Sequence, residues 1–180
     1  RPPGQPAEAT RTGDTAGLLA DLRVVLSSRQ NWVVGFYGAT MSGPMLSYAG
    51  LWGVPHMMQI HGLGRAAAAG SASLVLIGWA AGAPVIGWLS DRIGQRKLPL
   101  IVAAAVTLAA WIVVLYVPGL PLPVVLSLLF VIGAVSAAMI LCFAIAREQA
   151  PARMSGAVVG FINSFTVGAG ALMQPLVGIL

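Results

Sequence analysis

Charge is scarce in this sequence: Asp, Glu, Lys and Arg make up 8% of it, against 58% hydrophobic residues. A water-soluble domain carries roughly a quarter of charged residues, so the balance excludes one and indicates a membrane protein. None of the charges falls in the middle of an apolar run. That removes the usual intramembrane groups of a proton relay or a bound anion, which would have to come from outside this stretch. Cysteine is nearly absent. Cys142 alone allows neither an internal disulfide nor a cysteine metal site, and reads as a small buried side chain. There are no paired carboxylates, no intramembrane Ser/His pair and no phosphate-cradling glycine loop, so no catalytic residue is nominated and no cofactor is expected. His56 and His61 are the only histidines. Five residues apart, they would point about 140° from one another on a helix, and they lack the His-Glu-x-x-His pattern, so no metal site is assigned.

Alternation of polar and apolar residues is also missing, which argues against a β-barrel. What is present is a series of five long apolar runs, at about residues 31–53, 67–89, 98–117, 123–146 and 156–180. Each matches the ~20 residues needed to cross the hydrocarbon core. In lipid the backbone must satisfy its own polar groups, so the runs are helices, and the fold class is all-α, a polytopic transmembrane helical bundle. Residues 1–17, rich in Pro, Gly, Thr and charge, read as a disordered linker. Over residues 18–30, Leu18, Leu19, Leu22, Val25 and Leu26 recur at helical spacing. They suit either an amphipathic helix on the membrane surface or an extension of the first span. The chain opens on Arg1 without an initiator Met or a signal-peptide pattern and stops inside an apolar run, as expected of a piece of a longer protein.

The net charge is +5, but the cations sit in loops between spans, where they set orientation rather than bind nucleic acid. Every cation except Arg65 falls on one side. By the positive-inside rule the amino end and the even-numbered loops are cytoplasmic. The turn Pro118-Gly119-Leu120-Pro121-Leu122-Pro123 is a tight outer connection, whereas residues 54–65 read as a longer outer loop.

The densest loop is Gly87-Trp88-Leu89-Ser90-Asp91-Arg92-Ile93-Gly94-Gln95-Arg96-Lys97. Gly87 would let helix ends approach, Gly94 can adopt a positive φ, and Asp91 could accept bonds from the N–H groups opening the next helix. Arg92, Arg96 and Lys97 hold the loop in the cytoplasm. The pattern Gly-x-Leu-Ser-Asp-Arg-x-Gly-x-Arg-Lys resembles the signature loop of the major facilitator superfamily of secondary transporters. That loop joins helices two and three and often recurs between helices eight and nine; Gln95 departs mildly from it. Arg147-Glu148, followed by Pro151, Arg153 and Gly156, resembles the family's join between helices ten and eleven. Glu148 and Asp91 are expected to pair with nearby cations and, with the signature loop, to act in conformational gating.

The resemblance implies that the five spans are helices seven to eleven, an incomplete six-helix half of a twelve-helix carrier. The partners implied are a small-molecule solute, the lipid bilayer and the missing N-terminal half, and the mechanism is alternating access by symport or antiport. The first and fourth spans would then line the cavity, nominating Tyr37, Thr40, Tyr48 and Met139. Independently, Tyr37, Thr40, Met41, Pro44, Tyr48 and Trp52 share one face of the first span, which suits a cavity or a neighbouring helix. Pro44, Gly35, Gly38 and Gly43 predict a kink there. Gly78–Gly82 and Gly156–Gly160 are candidate close-packing pairs, and Asn163 is expected to make an interhelical hydrogen bond. The competing reading is a structural or assembly membrane subunit that binds protein partners without transport. Abundant Ala, Gly and Arg with a single lysine point to a GC-rich bacterial genome and hence to the cytoplasmic membrane.

Overall fold

The computed structural model describes residues 15–179, and among them it contains helices and short connections but no strand. A short helix α1 (Thr15–Ser27) precedes α2 (Arg29–Ser47), a π-turn (Tyr48–Trp52) and α3 (Gly53–His61). Then come α4 (Arg65–Ile93), α5 (Lys97–Tyr116), α6 (Leu122–Ser136), α7 (Ile140–Gln149) and α8 (Ser155–Ile179). A 3₁₀ turn over Ala137–Met139 joins α6 to α7, and another over Ala152–Met154 precedes α8. The chain is an all-α, multi-pass bundle. Segments Arg65–Ile93, Lys97–Tyr116, Leu122–Gln149 and Ser155–Gly178 are long and apolar enough to cross a membrane. The run from Arg29 to His61 is of similar build, about 50 Å at 1.5 Å per residue. Its glycines, serines and tyrosines dilute its hydropathy.

Most of the linker expected at residues 1–17 lies outside the described residues; its last three residues belong to α1. The helix expected at 18–30 occupies Thr15–Ser27 and is not a straight extension of the next, because Ser28 is extended at φ −79°, ψ 108°. Side chains from the first turn of α2 close its end: Asn31 Nδ2 donates to the Val25 carbonyl at 3.0 Å and Trp32 Nε1 to that of Leu26 at 2.8 Å. Those carbonyls have no partner inside α1, and the bonds satisfy them.

The long outer loop expected at 54–65 is not observed. Residues 53–61 stay helical, and only Gly62, Leu63 and Gly64 form the connection, with Gly62 at φ +62°. Val54 and Met57 give this stretch an apolar side, which docks against α4 and holds it helical.

Two helix pairs carry the bundle, α2 with α8 and α4 with α6, and α5 lies on α6. Small residues make both pairs close. A Cβ at Gly78 would collide with the Phe130 carbonyl oxygen, one at Gly82 with that of Ala134, and one at Gly133 with that of Val75. The Gly78–Gly82 pair is thus a packing site on both partners. Gly156–Gly160 is not: beyond its own stretch of helix, nothing among the described residues lies within 4 Å of a Cβ built at either glycine. Their face is open.

Candidate functional site

The connection between α4 and α5 is short because Gly94 takes φ +69°, a conformation favourable only to glycine, and its N–H returns to the Ser90 carbonyl. The turn brings Arg96 back beside the last turn of α4. Arg96 Nη1 is 2.6 Å from Asp91 Oδ1 and donates to Ser90 Oγ at 3.0 Å. On its other edge, Nη2 and Nε donate to Glu148 Oε1 at 2.8 and 3.2 Å. One guanidinium therefore fastens the end of α4 to the end of α7. Its hydrogen bond to Glu148, and then that to Asp91, raise the Arg96 pKa further. Ser90, fully buried, was not singled out in the sequence; it bonds the Gln95 carbonyl and accepts from Arg96.

Asp91 is in the last turn of α4 and binds Arg96 instead of capping α5, which starts without a side-chain cap. Arg92 stacks over Trp88, 5.3 Å from the ring centroid. Gly87 makes no close approach, with nothing among the described residues beyond its own stretch of helix within 4 Å of a built Cβ. Lys97 points into a cavity of about 730 Å³ between α2, α5 and α7. Gln30, Tyr37, Arg96, Leu100, Cys142 and Glu148 are among its walls.

Of the four residues nominated for a substrate cavity, Tyr37 lines this one and its hydroxyl donates to the Leu100 carbonyl at 2.8 Å, joining α2 to α5. Met139 packs with Tyr37 around Met41, Ala103 and Ala138. Thr40 is exposed one turn on and bonds back to the Tyr37 carbonyl. Tyr48 lies elsewhere: it is buried at 5% exposure, stacked edge-on against Trp111, with its hydroxyl 3.0 Å from His56 Nδ1.

The kink expected from Pro44 and the glycines takes the form of the π-turn, which begins four residues after Pro44. The glycines serve packing: Gly35, Gly38 and Gly43 face Phe165, Thr166 and Ala169 of α8. The interhelical bond expected at Asn163 forms one turn along, where Ser42 Oγ donates to the Thr166 carbonyl at 2.7 Å. Asn163 itself is on the exposed face. A backbone acceptor cannot be read from side-chain chemistry, which explains the misplacement.

Comparison with protein families finds that the profile of the Major Facilitator Superfamily matches residues 1–175. No curated protein and no solved structure matches the chain.

Proposed function

Because this chain belongs to the Major Facilitator Superfamily, a family of small-solute transporters, we propose that it works by alternating access as part of a secondary carrier. In this reading the run from Arg29 to His61 is a fifth membrane span, α1 lies at the membrane surface, and the Arg96 end faces the cytoplasm of a bacterial cell. The N-terminal half of the carrier completes the solute path against the open faces of the bundle, and coupling is by symport or antiport.

The observation that carries the mechanism is the double bridge from Arg96 to Asp91 and Glu148. It ties the ends of the second and fourth spans beside the cavity that Tyr37 lines, while Tyr37 ties the first span to the third. A contact biases a two-state equilibrium only if it differs between the states. The bridge would act as a gate by holding the cytoplasmic ends together and releasing them when that face opens.

The test is uptake by the complete transporter in proteoliposomes, with the solute first found by a thermal-shift screen, combined with labelling of a single cysteine at Ala104 from the cytoplasmic side. Arg96→Ala should slow uptake several-fold and raise labelling at Ala104. Unchanged uptake and labelling would remove the gating role, and a folded complete protein that moves no solute would favour the assembly-subunit reading.

A further inference from the structure

The helical run from Arg29 to His61 changes partner part-way along. Its α2 segment lies on α8, through Gly35, Gly38 and Gly43 and the Ser42–Thr166 bond. At the π-turn, Trp52 Nε1 donates to the Gln174 carbonyl at 3.0 Å, which pins the turn itself to α8. Beyond it, α3 packs on α4. Met57 is completely buried in one cluster with Ala68, Ala72 and Val75, and a Cβ at Gly53 would come within 2.8 Å of the Ala72 Cβ. One continuous rod is thus held by two different helices. The π-turn, four residues after Pro44, lies where the contact with α8 gives way to that with α4, and such features weaken a helix's own hydrogen-bond ladder and let it bend.

Tyr48 opens that turn. Its ring is fixed against Trp111 of α5, with centroids 5.1 Å apart, and its hydroxyl reaches over the turn to His56 Nδ1. The two rings meet nearly edge to face at 5.6 Å. Tyr48 is thus anchored to the body of the bundle, whereas His56 belongs to α3. Gly53 sits between them, where a side chain would press on the Tyr48 carbonyl and ring, both within 2.8 Å of a built Cβ.

We propose that the Tyr48–His56 hydrogen bond is a clamp that sets the angle of α3 against α2, with the π-turn as its hinge. Only Gly62, Leu63 and Gly64 separate α3 from α4, so α3 and the first turns of α4 swing as one arm when the clamp opens. This inference rests on the transporter reading for its purpose, which is closing the solute path at the end opposite Arg96. Hinges of this kind are a few element-terminal residues that absorb the change in backbone angles.

The experiment is pulsed electron spin-resonance distance measurement on the complete polypeptide in lipid nanodiscs. Spin labels replace Ile60 on α3 and Tyr116 at the end of α5, both exposed. The unsubstituted protein should give one narrow distance. Tyr48→Phe and His56→Ala should each add a longer population, and the double variant should add no more than either alone, because both remove the same bond. Unchanged distances in both single variants, or additive effects in the double one, would overturn the clamp. A second label pair, Ile60 with the exposed Ser73 in the third turn of α4, should hold its distance throughout. If that pair broadens too, the arm does not move as a unit and the proposal is wrong. No solute is needed, so this result and the Arg96 uptake result stand or fall separately.

Discussion

Arg96 serves Ser90, Asp91 and Glu148 at once, which takes a planar fork with donors on two edges. A lysine ammonium could reach one carboxylate at a time. Arg96→Lys should therefore impair uptake nearly as much as Arg96→Ala, although the charge is kept. Stability should respond much less, since the carboxylate side chains are 68% and 52% exposed and such pairs contribute about 0–1 kcal/mol. A melting curve beside an uptake assay separates the two effects.

Between helices, the decisive contacts are backbone against backbone. Gly82→Val would force a branched side chain into the Ala134 carbonyl and should destabilise by about 1–3 kcal/mol or more, as overpacking does. Gly160→Val, on an open face of α8, should leave the melting temperature of this chain nearly unchanged. The two Gly-x-x-x-Gly pairs look alike in the sequence, because the spacing reports a capacity for close approach and not which side is covered. The same limit applies to the first span. Pro44 and its glycines marked it as irregular, but whether irregularity ends as a kink, a loop or a π-turn depends on what the following residues can dock against. Here Met57 finds Ala68, Ala72 and Val75, and a segment that reads as a loop by composition remains helical.

For the molecule as a whole, hydropathy was enough to assign an all-α membrane bundle, because lipid permits few alternatives. The Gly94 turn was legible for the same reason: a positive φ in a tight connection selects glycine. Pairing was legible only in part: Asp91 and Glu148 were expected to meet cations, as they do, but not one and the same cation. That Arg96 would take both Asp91 and Glu148, or that Tyr37 would reach the Leu100 carbonyl, depends on distances between helices that no local pattern encodes. If the proposed carrier holds its solute between two halves, the solute should raise the stability of the complete polypeptide by about 2.7 kcal/mol at a hundred times its dissociation constant, while leaving this chain alone unaffected. A matching shift in both would put the binding site within this half. The pairing of α2 with α8 also has a consequence in time. Ser42 and Thr166, joined by a hydrogen bond, are 124 residues apart. At about 5–20 residues per second, a ribosome needs roughly 6 to 25 seconds to make the distance between them. Throughout that interval the glycine face of α2 is already synthesised and its partner does not exist, so lipid or the insertion machinery must shelter it.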